Sequence, residues 1–268
     1  MNPVLRNRVI TALILAPVVL AVVFLSNIQT FAAFFWFVIA LGCYEWAGLL
    51  GLQARWARLG YVLGFALLAL GLTVFPAAQT WALWAAVALW ILAIFAVLTY
   101  PRSAGVFAHS LVLAPVGLVI LSGAWVSLVT IRELPQGAWW IGWVLLMVWA
   151  ADIGAYFAGK KFGRRLLAPK VSPGKTWEGV LGGYLLSVGV SGVAVALWQP
   201  QALIWLLVTV VLIAISVFGD LFESLLKRAT GIKDSGTLLP GHGGMLDRID
   251  SALAVLPVLT LFLLTSEA

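Results

Sequence analysis

The chain opens with MNPVLRNRVITALILAPVVLAVVFL (Met1–Leu25), a basic start carrying Arg6 and Arg8 followed by a long apolar run. A secretory signal has the same order. This run is longer than a signal core, however, and no small-x-small cleavage site clearly follows it, so it reads as a first, retained membrane helix. The whole composition agrees. The 268 residues are 63% hydrophobic and 10% charged, with mean hydropathy +1.08. An ordinary soluble domain is about 45–50% apolar and about 25% charged. No soluble fold could hide this much apolar surface, which leaves the bilayer as solvent. Despite a net charge of +6, so few charges exclude a disordered or nucleic-acid-binding chain. The single cysteine, Cys43, excludes an intrachain disulfide.

A membrane span needs about 20 apolar residues. Nine runs meet that need, near Val9–Leu25, Ile28–Leu50, Leu59–Phe75, Trp81–Leu98, His109–Thr130, Ala138–Ala158, Gly179–Trp198, Ala202–Gly219 and Ser251–Leu264. They are separated by helix-ending stretches such as FPAAQ, TYPRSAG, RELPQG and WQPQ. No internal repeat or soluble domain stands out. The expected fold is an all-α, polytopic helical membrane protein, one integral domain over residues 1–268.

Orientation follows from the placement of Lys and Arg. With nine spans, every basic residue except Arg132 falls on the side of the N-terminus: Arg6, Arg8, Arg55, Arg58, Arg102, Lys160, Lys161, Arg164, Arg165, Lys170, Lys175, Lys227, Arg228, Lys233 and Arg248. The N-terminus is therefore expected in the cytoplasm and the C-terminus outside, in the cell (inner, cytoplasmic) membrane. The carboxylates Glu45, Asp152, Glu178, Asp220, Glu223, Asp234, Asp247 and Asp250 crowd towards the same side. Acids do not set topology, so their crowding points to a functional face, concentrated in residues 138–250.

Asp152, in VWAADIGAYFAGKKFG, lies seven residues before Gly159, hence roughly 10 Å inside the helix end at ~1.5 Å per residue. An ionised group at that depth costs about 2.5–3.5 kcal/mol and should face a polar cavity, a cation, or a basic partner on a neighbouring helix. Downstream, KKFGRRLLAPKVSPGKTWEG holds six basic residues. Lys160, Lys161 and Arg164 are sufficiently explained by anionic lipid. In SPGKTWEG, a turn at Ser172–Gly174, then Lys175 and Thr176, precedes a helix starting near Glu178, an arrangement suited to cradling phosphate. It is not a P-loop, because the first glycine of that motif and the preceding strand are missing.

In SVFGDLFESLLKRATGIKDSG, Asp220 sits eighteen residues after Ala202, about 27 Å along a helix, at the edge of the hydrocarbon. Asp220, Ser224 and Lys227 share a helical face, which suits a metal-bound phosphate. Glu223 is expected to pair with Lys227 at i, i+4. Finally, LPGHGGMLDRID (Leu239–Asp250) places Gly243 and Gly244, which permit close backbone approach, beside Asp247, Arg248 and Asp250. Mg²⁺ takes carboxylate oxygens, and Asp220 and Asp247, from two helix ends, are the expected ligands. A second cation is left open. Lys227, Arg228, Lys233 and Arg248 would neutralise phosphate charge. His242 is a candidate acid, base or cap.

Ser224–Asp250, SLLKRATGIKDSGTLLPGHGGMLDRID, resembles the signature of the phosphatidate cytidylyltransferases, or CDP-diglyceride synthases. It carries Ser-x-apolar-Lys-Arg, then Lys-Asp, then His-Gly-Gly-apolar-x-Asp-Arg-apolar-Asp without a gap. DIGAYFAGKKFG and KVSPGKTWEG are also similar to that family. The resemblance covers roughly the last 120 residues, the first 130 matching only in apolar character. It implies a multi-pass enzyme making CDP-diacylglycerol and pyrophosphate from CTP and phosphatidate with Mg²⁺. Asp220, Asp247, Lys227, Arg228 and Arg248 would then form the catalytic set, with Asp220 and Asp247 on the metal. Ser172, Lys175, Ser224, Lys233, His242, Gly243, Gly244, Asp152 and Asp250 would line the substrate site. The expected partners are these substrates and membrane lipids, with no nucleic acid; a homodimer is compatible with the sequence.

Two other functions compete with this one. A transporter would place charges near the bilayer midplane, often in repeated halves, whereas these gather at one interface. A CTP-dependent polyprenol kinase would need a similar site, and the signature decides against it.

Overall fold

The computed structural model describes residues 3–198, 202–232, 235–236 and 243–266, with the side chains of residues 3–12, 198 and 202 outside it. Ten helices follow in order: α1 (Pro3–Leu25), α2 (Ile28–Leu49), α3 (Arg55–Val74), α4 (Pro76–Leu98), the one-turn α5 (Ala104–Phe107), α6 (Ser110–Glu133), α7 (Gly137–Phe162), α8 (Trp177–Trp198), α9 (Ala202–Ala229) and α10 (Leu246–Ser266). Among the described residues, eight helices are long and apolar enough to cross a membrane, namely α2–α4 and α6–α10. Leu13–Leu25 of α1 forms a further, shorter apolar segment. The chain is an all-α multi-pass membrane protein, as its composition requires. Leu63 is 59% and Leu67 60% exposed on α3, and Leu185 68% on α8, which is what lipid-facing surfaces look like when the solvent is hydrocarbon.

Lipid tails are as apolar as leucine, so helices in a bilayer associate through close packing rather than hydrophobic burial, and small residues let backbones approach. The pairing of α7 with α8 shows this. A Cβ at Gly154 would fall 2.5 Å from the Gly182 carbonyl oxygen, and one at Gly183 would fall 2.7 Å from that of Ala151. Similarly, Gly219 of α9 approaches the Asp250 carbonyl of α10, where a Cβ would lie 2.8 Å away. The wider core is aromatic: Trp140 and Trp143 of α7 pack edge-on to each other, and both meet Trp205 of α9.

One expectation is corrected. Ser172–Gly174 does not form a turn. It belongs to strand β2 (Ser172–Thr176), which pairs antiparallel with β1 (Leu166–Ala168), Leu166 opposite Thr176 and Ala168 opposite Ser172. The turn falls earlier, closed by the Val171 amide donating to Ala168 O at 3.0 Å. Glu178, in the first turn of α8, fixes this hairpin by accepting from the amides of Arg164 and Arg165 at 3.0 and 3.2 Å. Thr176 caps α8 through its hydroxyl, which accepts from Gly179 N at 3.1 Å. The helix thus begins where the sequence placed it, at the end of a strand rather than of a turn.

Candidate active site

Four helix ends and the hairpin meet at one end of the bundle: the C-terminal halves of α2, α7 and α9, the N-terminus of α10, and β2. Of these, α7, α9, α10 and β2, together with the start of α8, enclose a cavity of about 240 Å³ whose polar lining includes Asp152 of α7, Lys175 and Thr176 of β2, Asp220 of α9 and Ser251 of α10. The α7–α8 glycines Gly159, Gly179 and Gly183 form its floor. A Cβ at Gly179 or Gly183 would press on the α7 backbone, 3.1 Å from Ala155 O and 2.7 Å from Ala151 O, so the same glycines let the two helices close together beside the cavity.

The carboxylates converge. Asp220, Glu223 and Asp250 each place an oxygen within 4.8 Å of the other two. Asp152 lies within electrostatic reach of Asp220, Lys175 and Arg248. Three anionic groups so close repel one another strongly unless positive charge lies among them. Part of it comes from two lysines. Lys175 forms an ion pair with Asp220 from across the cavity. Lys227 bridges Glu223 Oε2 at 2.7 Å and Asp247 Oδ1 at 2.6 Å. The intrahelical Glu223–Lys227 pair expected from the spacing is present, and Lys227 extends it to a second helix.

The carboxylate grouping differs from the expected one. Beside Asp220 stand Glu223 and Asp250, whereas Asp247 is engaged by Lys227, by Ser235 Oγ at 2.9 Å and by the Gly244 amide at 2.8 Å. Asp247 is the third residue after Gly244, so it caps its own helix entry and accepts from the orphan amide there. Gly243 has φ +78°, and a Cβ there would stand 2.7 Å from Asp247 Oδ2, so this position does require glycine.

Of the other expected residues, Arg228 is exposed and donates from Nε to Val171 O at 3.3 Å, tying α9 to the hairpin. Arg248 is exposed near Asp152. Ser224 is half-buried on α9. Ser172 opens β2, while Gly174, Lys175 and Thr176 are the hairpin residues that line the cavity. Lys233 and His242 lie outside the described residues. Sequence reasoning missed the place of Glu223 in the acidic group, and it gave no role to Ser235 or Glu45, both of which reach the Asp247 segment. For Glu45 a signal existed: a lone acid in the apolar run GCYEWAG is itself a functional pointer.

A second cavity, of about 490 Å³, abuts the first and shares Val180 and Val217 with it. Its wall is mainly apolar, including Leu167, Trp177, Tyr184, Ala214 and Phe218, with Lys170 among its lining residues.

The donor set suits a hard divalent cation. Three carboxylates converge, and Glu223 Oε1 is buried with no hydrogen-bond partner among the described residues. A buried carboxylate oxygen without a hydrogen-bond partner, on a residue clustered with two other carboxylates, is what an oxygen-ligated cation satisfies.

Comparison with known proteins places this arrangement. A model of the cytidylyltransferase family matches residues 6–266. A phosphatidate cytidylyltransferase of Pseudomonas aeruginosa is 45% identical over 95% of both chains. One of Haemophilus influenzae is 36% identical over 96% of this chain and 98% of its own. One of Bacillus subtilis is 39% identical over 63% of this chain.

Proposed function

Since the chain belongs to the cytidylyltransferase family, we propose that it transfers the cytidylyl group of CTP to phosphatidate, yielding CDP-diacylglycerol and pyrophosphate. The observation that carries this reading is the junction of two unlike cavities, one charged and one apolar, sharing Val180 and Val217. A phospholipid substrate presents the same junction: a phosphomonoester beside acyl chains.

In the reaction an oxygen of the lipid phosphomonoester attacks the α-phosphorus of CTP. The bond from that phosphorus to the oxygen bridging the β-phosphorus breaks, and pyrophosphate leaves with the electron pair. The attacking oxygen is already ionised near neutral pH, so no side chain need remove a proton. What the protein must supply is position and charge balance. Lys175 and Arg248, near Asp152 and Asp220, bind and orient phosphates. Arg228 holds the hairpin to α9 and adds positive charge at the cavity's edge. Lys233 and His242 belong to the substrate-binding set through the signature, as do Ser224, Gly243 and Gly244.

Asp220, Glu223 and Asp250 would hold a divalent cation, Mg²⁺ in this reading, with Asp247 anchoring Lys227 beside them. Bound there, the cation would offset the negative charge that builds on the phosphates. In this reading the catalytic end faces the cytoplasm, a sidedness that the basic residues gathered there support, in the inner membrane.

The test is a purified-enzyme assay with labelled CTP, phosphatidate and Mg²⁺. Labelled CDP-diacylglycerol should form, vanish with EDTA, and fall by at least about a hundredfold in Asp220→Asn and Asp250→Asn. Full activity in both variants refutes the metal assignment. With the label moved to the γ-phosphate of CTP, label appearing on a polyprenol, together with no CDP-diacylglycerol from phosphatidate, refutes the reaction.

A further inference from the structure

The α2 helix lies in the half of the chain whose sequence carries no motif. Near its C-terminal end Glu45 is 6% exposed. Its Oε2 accepts from the amide of Leu246, the first residue of α10, at 2.8 Å. Ser235 Oγ lies 3.4 Å from the same oxygen while donating to Asp247 Oδ2 at 2.9 Å. The carboxylate also occupies the room left by two glycines. A Cβ at Gly236 would collide with Glu45 Oε1, and one at Gly244 with Oε2. One carboxylate is thus wedged between two separate pieces of the segment that joins α9 to α10.

This is an expensive group to bury. Glu45 forms no ion pair among the described residues, and its Oε1 has no hydrogen-bond partner among them. A buried charge without a cation is held only by the dipoles aimed at it, here the amide end of α10. Glutamine would fill the same volume without that charge.

We infer that Glu45 is a positioning residue for the transfer reaction, acting from a distant helix. It fixes Ser235 and the Gly244–Leu246 backbone, both of which hold Asp247, and Asp247 in turn holds Lys227. The inference rests on the reaction proposed above, but the anchor itself can be read without it.

Two variants test it, Glu45→Gln and Gly236→Ala. The first removes the charge; the second pushes a methyl group against the carboxylate from the opposite side. In each, kcat should fall about tenfold or more while KM for CTP moves by less than about twofold. Hydrogen exchange of the peptide spanning 243–248 should rise, with exchange in α7 and α8 unchanged. Ile39→Ala, a core truncation one helix-turn and more away on α2, should lower thermal stability without either effect. Wild-type exchange together with wild-type kcat in both variants overturns the inference, as does a lost kcat with unchanged exchange. If wild-type protein makes no CDP-diacylglycerol yet Glu45→Gln raises exchange at 243–248, the reaction has failed and with it the positioning role, while the anchor stands.

Discussion

Lys175 of the hairpin forms an ion pair with Asp220 of α9 across the mouth of the charged cavity. The contact joins the basic hairpin to the helix that carries two of the three clustered acids, Asp220 and Glu223. Neither could be recognised as a partner of the other from spacing, since 45 positions separate them. A lysine held by a carboxylate at the edge of a cavity is charged, oriented and half-exposed, the state in which it can exchange a protein anion for a substrate phosphate.

Lys175→Ala should therefore lower kcat/KM for CTP by about tenfold to a hundredfold, with a smaller effect on KM for phosphatidate. Lys175→Arg should recover part of the loss, since it keeps the charge but not the point-like ammonium. Steady-state kinetics with each substrate varied in turn would decide; an unchanged KM for CTP and unchanged kcat in the alanine variant would remove Lys175 from the site.

Lys227 lies between Glu223 and Asp247 with its side chain 15% exposed, theirs being 5% and 11%. Removing one member of a buried ionic group leaves the others unpaired, at about 3–5 kcal/mol. Lys227→Met should lower the thermal midpoint of detergent-solubilised protein and abolish transfer. Lys227→Met combined with Glu223→Gln should regain much of the midpoint but no activity, because the neutral pair suits burial and not catalysis. Recovery of activity in the double variant would show that Lys227 serves stability alone.

The apolar cavity makes a separate prediction. Ala214 lines it without reaching the charged one, so Ala214→Trp should narrow the apolar chamber selectively. KM for long-chain phosphatidate should rise about fivefold or more with KM for CTP unchanged, and short-chain phosphatidate should be affected less. Equal effects on both substrates would mean that the chamber does not hold acyl chains.

Much of this was legible in the sequence, for identifiable reasons. Apolar runs of membrane length cannot be anything but spanning helices in so uncharged a chain, and α2–α4 and α6–α10 follow them closely. Asp152 and Asp220 stood out by their depth in apolar sequence, Lys175 by the SPGKT segment before a helix and Asp250 by its place at the entry of the last span; the structure lines one cavity with the first three and holds Asp250 within electrostatic reach of them. The hairpin was hidden because its strands are three and five residues long and β2 contains a proline and a glycine, a composition that reads as a turn. The grouping of Asp220 with Asp250 and Glu223 was hidden for another reason. Asp247 and Asp250 lie one helical turn apart on one face of α10, and which of them meets Asp220 and which meets Lys227 depends on how α10 enters the bundle. That entry is fixed by Glu45, more than two hundred positions away, and no local pattern records it.

The crossing of α7 and α8 has a mechanical consequence. Where Gly154 and Gly182 meet, main chain packs directly on main chain, so a side chain at either position would drive the two helices apart and displace Asp152 with them. On the opposite wall α9 is tied to the hairpin by the Lys175–Asp220 and Arg228–Val171 links, side-chain tethers in place of main-chain contact.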